Sequence, residues 1–235
     1  SGYVGTGIVG LMIVGKTTQS TDKDARYINC FVQTVPDPIY GKKRIYIVKR
    51  PGFATANTPS AGNLGYAILV WTGSASKVIS AFGATNSTIY DSTSSLGAIT
   101  GRCTGITETF VGTTATLVVS STDNTAWYYD TGAGVMTKII DGDFPGNAGF
   151  TTTGTFAHLD GFACIATTDG KLWASDLNSV TAWTANSFDS ANSSPDPGVA
   201  AVRFKNFIMY LGTETLQFFY NAGLTPFPFA KAVAM

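Results

Sequence analysis

The sequence predicts an all-β protein, a β-propeller-like array of antiparallel blades preceded by an extended N-terminal arm. Three observations carry this. One pattern occurs four times between Lys77 and Asn221, as KVISAFGATNSTIYDST, ATLVVSSTDNTAWYYDT, FACIATTDGKLWASDL and FIMYLGTETLQFFYNAG. Each copy is an apolar run, a turn of small residues and a second run with an aromatic near its end. The aromatics Tyr90, Tyr129, Trp173 and Phe219 follow one another at 39, 44 and 46 residues, and repeats of roughly 40–50 residues built from short strands mark propeller blades. No stretch from 66 to 235 holds three turns of amphipathic helix, while Val, Ile, Thr, Tyr, Phe and Trp alternate with Gly, Asn, Asp and Ser turns. One small twisted sheet cannot bury both its faces, so such modules stack on each other.

The N-terminal segment comes first. Residues 1–15 place Gly5, Gly7 and Gly10 in a G-x-G-x-x-G spacing. A dinucleotide site needs a strand before that spacing, a helix after it and an acid about twenty residues on. Here β-branched residues follow, and Asp22 and Asp24 come too early, so an arm or edge strand is expected. The chain begins with Ser, and the expectation is a processed or incomplete chain. Residues 21–29 form the one plausible helical turn, capped by Asp22 or Asp24. A strand over 30–35 stops at Pro36 and Pro38. A second, over 45–48, is bounded by Gly41 and Pro51 and flanked by Lys42, Lys43, Arg44, Lys49 and Arg50. Those five cations are either solvated strand ends that discourage edge pairing, or a clamp for an acidic partner surface or a phosphate. Residues 52–64 are a loop rich in small residues.

The division expected is therefore an arm with a basic strand segment over 1–64 and about four blades over 65–235. The blades fall at 65–102, 103–147, 148–196 and 197–235, and the runs 78–82, 117–119, 162–166 and 207–211 are read as their innermost strands.

Composition narrows the function. Charged residues make up 13% of the chain against 44% hydrophobic, about half the usual charged share of roughly 25%. Such a surface suits a subunit covered by its neighbours in a permanent assembly, and also a sugar-binding β protein. The net charge is zero, so nothing sequence-wide supports a grip on phosphates. Cys30, Cys103 and Cys164 stand too far apart for a zinc knuckle or a redox pair and read as free buried thiols. No run reaches the roughly 18 apolar residues of a membrane helix, and no membrane insertion is expected.

No catalytic, cofactor or metal site is expected either. His158, the lone histidine, precedes an Asp-Gly turn and reads as a packing or turn residue. Glu108 or Glu214 with Asp143 or Asp189 could supply paired carboxylates for sugar hydrolysis. Sialidase chemistry would also want three arginines, and the blade region has Arg102 and Arg203 alone. Asp141, Asp143 and Asp196 lack a calcium-loop ladder and read as turn caps. The turns 121–127 and 167–173 loosely resemble the Asp-box turns of sialidase propellers. With Trp127, Trp173 and Trp183 taken as exposed, they support an alternative: a carbohydrate-binding or glycan-hydrolysing β-propeller.

A family resemblance covers about 22–230. KDARYINCFVQTV and GKKRIYIVKRPGF resemble the opening of the packaged-DNA stabilisation or tail-hub (nozzle) proteins of short-tailed bacteriophages. Ile139-Ile140-Asp141-Gly142-Asp143-Phe144-Pro145-Gly146 is similar to their turn between blades. His158-Leu159-Asp160-Gly161-Phe162, Ser175-Asp176-Leu177-Asn178, Trp183, Ser194-Pro195-Asp196-Pro197, Phe219-Tyr220-Asn221-Ala222-Gly223 and Phe227-Pro228-Phe229 follow in the family's order. The resemblance implies a non-enzymatic virion protein of the tail, assembled in the bacterial host cytoplasm. It implies a hexameric ring beneath the portal and adaptor that contacts other tail proteins. Packaged DNA would pass through its channel without sequence-specific binding and be kept from leaking until ejection. The family's chains are longer, which implies a partial chain here. On this reading Lys42, Lys43, Arg44, Lys49 and Arg50 sit at a contact with a neighbouring subunit or ring. Phe227 and Phe229, stiffened by Pro226 and Pro228, pack into a neighbouring blade or subunit.

Overall fold

Strand-forming sequence gives strands throughout: among the described residues every regular element is a β-strand. The structure, a computed structural model, describes residues 30–36, 43–49, 64–71, 77–190 and 196–232, the first two stretches by backbone alone. The chain divides into two units, Ser1–Ala56 and Asn57–Met235.

In the first unit β1 (Cys30–Pro36) pairs antiparallel with β2 (Lys43–Lys49), with Phe31 opposite Val48 and Thr34 opposite Ile45. The glycine-rich arm and the helical turn expected at 21–29 lie outside the described residues, as do Lys42 and Arg50.

The second unit is four antiparallel sheets, each of four strands in chain order. Blade 1 holds β3 (Leu64–Trp71), β4 (Lys77–Gly83), β5 (Ser87–Asp91) and β6 (Ser94–Ile99). Blade 2 holds β7 (Cys103–Val111), β8 (Thr114–Ser121), β9 (Ala126–Asp130) and β10 (Val135–Lys138). Blade 3 holds β11 (Thr152–Leu159), β12 (Phe162–Thr167), β13 (Lys171–Ser175) and β14 (Trp183–Ser190). Blade 4 holds β15 (Gly198–Phe204), β16 (Phe207–Gly212), β17 (Leu216–Asn221) and β18 (Phe229–Lys231). Short turns join neighbouring strands, as a meander requires. One is the Asp160-Gly161 turn, where φ is +51° and +85°, the left-handed pair that favours such residues in a two-residue hairpin.

Side chains alternate across a strand, so each blade offers one face to the blade before it and one to the blade after. The apolar residues meet in three cores. Ile79, Ala81 and Ile89 of blade 1 pack on Leu117 and Val119 of blade 2. Val118 and Ala126 of blade 2 pack on Ile165 and Trp173 of blade 3, with Phe144 and Trp183. Cys164, Ala166 and Leu172 of blade 3 pack on Ile208, Tyr210 and Phe219 of blade 4. Each fully buried aliphatic or aromatic side chain contributes about 1.5–3 kcal/mol relative to exposure, so the blades depend on one another for stability.

One expectation is corrected. The runs 78–82, 117–119, 162–166 and 207–211 lie in β4, β8, β12 and β16, the second strand of each blade. The first strands, β3, β7, β11 and β15, neighbour each other at every step from blade to blade, which puts them nearest the axis. The reason is coverage. A second strand has strands on both sides and blades over both faces, so it is the most apolar; β8 and β12 are almost wholly buried. A first strand looks onto the axial space and tolerates polar residues, as exposed Arg203 and half-buried Glu108 show.

Candidate functional site: the blade anchors and the axial groove

A set of backbone and side-chain hydrogen bonds anchors blades 2, 3 and 4 each to its own lead-in. The turn between second and third strands bonds back to the residue just before the first strand. Thr122 N donates to Arg102 O at 2.9 Å in blade 2, Thr168 N to Thr151 O at 2.9 Å in blade 3, and Thr213 N to Pro197 O at 3.1 Å in blade 4. In blades 2 and 3 an aspartate of the turn organises it. The Asp123 carboxylate accepts from the Ser121 and Thr125 hydroxyls and, across to the lead-in, from Thr100 Oγ1 at 2.6 Å. Burial alone would raise its pKa, but these donors outweigh burial and hold it at about 2. Asp169 accepts from Thr167 Oγ1 at 2.5 Å and pairs with Lys171 at 2.7 Å. Its pKa is lowered as well: burial opposes, while Lys171 and Thr167 prevail. These are the Asp-box-like turns that the sequence suggests, and Trp127 Nε1 closes the first on Thr125 Oγ1 at 3.1 Å.

Blade 4 inverts the device. Its turn carries Glu214, and the organising carboxylate comes from the lead-in, as Asp196. Both Asp196 oxygens are used: Oδ1 accepts from Thr213 N (2.9 Å) and Oγ1, and Oδ2 from Thr215 N (2.9 Å) and Oγ1, with Glu214 N shared between them. The Thr213 and Thr215 hydroxyls, with the backbone donors, hold its pKa at about 2. Sequence reasoning took Asp196 as a turn cap but could not name the turn, 17–19 residues away. The legible signal was the pair of threonines around Glu214 following Gly212.

Asp141 caps the connector between blades 2 and 3. It accepts from Asp143 N at 2.9 Å and from Trp183 N at 3.0 Å. Phe144 of the same connector stands edge-on to Trp183, ring centroids 5.2 Å apart.

Facing the axis is an open groove of about 570 Å³ between β7, β11 and β15, lined by Thr107, Glu108, Phe110, His158 and Arg203 among others. His158 lies against the Phe110 ring at 5.2 Å. Burial, then the nearby Arg203 charge, lowers its pKa, so it is neutral at pH 7. Thr107 Oγ1 already donates to Phe156 O at 2.9 Å. The acids considered for sugar hydrolysis sit in different elements: Glu108 on β7, Glu214 in the β16–β17 turn, Asp143 in the blade 2–3 connector and Asp189 on β14 beside Lys231 at 3.6 Å. Among the described residues no group of three His, Cys, Asp or Glu could hold a metal ion.

The tryptophans read as exposed are not. Trp173 and Trp183 are 2% and 4% exposed in the blade 2–3 core, and Trp127 is half-buried. At strand positions facing another blade, an aromatic fills the widening space between sheets instead of meeting solvent. Phe227 and Phe229 make their contacts inside the chain. They are 7% and 2% exposed, with Phe229 edge-on to Phe162 of blade 3 at 5.6 Å. Of the five cations, Lys43, Arg44 and Lys49 lie on β2.

Cys103 and Cys164 are free and buried. Burial pushes the Cys103 thiol up to about 12, and pushes Cys164 up further. Both are expected to resist a thiol-alkylating reagent in the native chain at pH 8 and to react fully in denaturant. Peptide mass spectrometry of the labelled sites checks this, and rapid native labelling at Cys164 would contradict its burial.

Four antiparallel four-stranded sheets packed face to face define a β-propeller-type protein. The family model for bacteriophage P22 Gp10, a β-propeller, matches residues 15–235. The chain belongs to this family of phage packaged-DNA stabilisation proteins, which are structural virion proteins. No curated protein matches the chain. Among solved structures, the computationally designed Ika4 protein is similar at 12% identity and a TM-score of 0.45, over 68% of this chain and 93% of that one. A chain of an active polycomb repressive complex 2 in the basal state is similar at 10% identity and a TM-score of 0.50, over 84% of this chain and 43% of that one. The chain thus spans less than half of the latter's length, and at this identity the likeness concerns the fold alone.

Proposed function

We propose that this protein is a wall component of the tail hub, or nozzle, of a short-tailed phage. It forms a hexameric ring below the portal and adaptor, continues the DNA channel and retains the packaged genome until ejection. The family match across 15–235 is the observation that carries this reading. The chemistry is consistent with it. A charged share of 13% and a net charge of zero suit packed subunit faces and a channel past which DNA slides without being gripped. The turn carboxylates serve rigidity, which is what a wall under the pressure of packaged DNA requires. The ring assembles in the host cytoplasm and ends in the virion tail.

Native mass spectrometry of the protein with its adaptor ring is expected to show one cyclic assembly on that ring; monomers only would overturn the proposal. Lys42, Lys43, Arg44, Lys49 and Arg50 are assigned to the contact with a neighbouring subunit or ring. Replacing all five with Ser is expected to weaken assembly at least tenfold at low salt and to flatten its salt dependence, since screening acts on such charges. Unchanged assembly at both low and high salt would remove this assignment.

A further inference from the structure

The zero net charge hides a division. Ser1–Ala56 carries eight Lys and Arg against three Asp and Glu, and Asn57–Met235 carries seven against twelve, so the two units hold +5 and −5. The acids of the second unit differ in how far they are used. In a meander the turns after the first and third strands of every blade lie on one rim, and the turns after the second strands lie on the other. On the second-strand rim the organising carboxylates are saturated: Asp123, Asp169 and Asp196 each accept on both oxygens. Glu214, also there, is offset in number by Arg102. On the other rim each carboxylate keeps one oxygen unused. Asp130 accepts from Gly132 N and Ala133 N on Oδ1 alone, Asp176 from Thr184 Oγ1 on Oδ1 alone, and Asp160 from Asn221 Nδ2 on Oδ2 alone. Among the described residues no cation pairs with any of these three, and the turns of blades 2 and 3 on this rim contain no Lys or Arg. The same rim is apolar between its acids. Val111, Leu177 and Leu224 are 39%, 59% and 54% exposed. A groove of about 270 Å³ runs between Leu177, Leu224, Pro226 and Pro228, with Asp176 on its wall. Gly112 N donates to Asn178 O and Asn178 N to Gly161 O, each at 2.7 Å, so the turns of blades 2 and 3 form one tied surface. Blades stack through their faces, so this rim stays uncovered whatever number of blades completes the array.

We infer that this acidic rim of blades 2 and 3 receives strand β2 of the next copy in the ring, with Lys43, Arg44 and Lys49 set against Asp130, Asp160 and Asp176. Charge complementarity is the argument for the occupant. Strand β2 reads cation, apolar, cation, as Lys43-Arg44, then Ile45-Tyr46-Ile47-Val48, then Lys49. The rim reads acid, apolar, acid. Ammonium and guanidinium groups bring the donors that the unused carboxylate oxygens lack, and charge-assisted bonds of this kind are the strong ones. A two-fold contact would set hairpin on hairpin or rim on rim, and like charges oppose both. The unlike pair is a head-to-tail contact, the kind that generates rings. The inference rests on the tail-ring reading and names the partner of its basic contact.

The test is charge reversal in the full chain with its adaptor ring, read by native mass spectrometry. A reversed hairpin (Lys43→Glu, Arg44→Glu and Lys49→Glu together) and a reversed rim (Asp130→Lys, Asp160→Lys and Asp176→Lys together) are each expected to weaken assembly by about tenfold or more at low salt. An equimolar mixture of the two is expected to regain it, because in an alternating ring every hairpin again meets a rim of opposite sign. Zero-length carbodiimide coupling of mixed light and heavy-isotope wild-type chains is expected to join Lys43 or Lys49 of one copy to Asp130, Asp160 or Asp176 of another. Rings in which these lysines couple only within one chain, or only to other acids, overturn the inference, and so does a mixture that stays dispersed. Assembly untouched by the reversed hairpin, with duplex DNA binding lost instead, gives the strand to DNA and overturns it too. Neutral variants, Ser at the three hairpin positions and Asn at the three rim positions, decide the matter if a reversed chain misfolds. Combining them is expected to cost no more than either set alone, and additive losses refute the contact. Wild type that stays monomeric on the adaptor ring removes the tail-ring reading as well, whereas an intact ring with these lysines elsewhere removes this contact alone.

Discussion

Phe229→Ala is expected to lower the unfolding free energy by about 3–5 kcal/mol, the range for removing a buried aromatic and leaving a cavity. Phe229 is 2% exposed and links three rings: it meets Phe162 of blade 3 and Phe227 at 5.6 Å each, and Phe227 in turn meets Phe219 at 6.2 Å. Aromatic pairs of this geometry add about 0.5–1.5 kcal/mol beyond area burial. Phe162 and Phe219 sit on strands fixed by their own ladders, which limits how far the site can collapse to refill the space. Ile140→Ala is the control, because Ile140 is 85% exposed and a surface truncation changes stability by about 0.5 kcal/mol or less. Urea unfolding of the two variants compares them. A Phe229→Ala cost no larger than that of Ile140→Ala would mean that blades 3 and 4 are not packed as described.

Acid is expected to loosen the blade anchors. Asp196 and Asp123 both have their pKa held at about 2, against about 3.9 for an unfolded aspartate. A carboxylate depressed on folding stabilises fully above the unfolded value, and that contribution disappears as pH falls through the folded one. The loss therefore falls between about pH 4 and pH 2. Asp196→Asn presents an amide nitrogen to a site made wholly of donors and no longer titrates. It is expected to be less stable at pH 7 and to lose less between pH 4 and 2 than the parent. A companion is Gly212→Ala, because a Cβ at Gly212 would lie inside contact distance of Asp196 Oδ2. It is expected to cost about 1–3 kcal/mol, as overpacking does. Denaturant midpoints at pH 7, 4 and 2.5 read all of this, and an acid limb of equal depth in parent and Asp196→Asn would refute the role given to that carboxylate.

Much of the fold was legible because its signals are local. Runs such as Phe207 to Gly212 and turns such as Asp160-Gly161 declare strand and hairpin within a few residues. The aromatic spacing declares the module, and the organising role of Asp123 and Asp169 was visible in their turns. What escaped were facts about what lies opposite. Trp173 and Trp183 read as exposed because a strand's alternation does not say that both of its faces are covered. The innermost strand was misassigned because apolar density reports coverage, and in this array the second strand is the best covered. Asp196 was seen as a cap, yet its turn belongs to another stretch of the chain.

The sequence by itself determined the class of the protein: antiparallel strands, four modules, a low-charge surface, and the order of motifs that marks a phage structural family. Tertiary structure alone decided which faces meet and which carboxylate serves which blade. The physical reason is range. Strand and turn propensities act over a few residues, whereas blade-on-blade burial and the capture of 213–215 by Asp196 exist only once chain segments far apart in sequence are brought together.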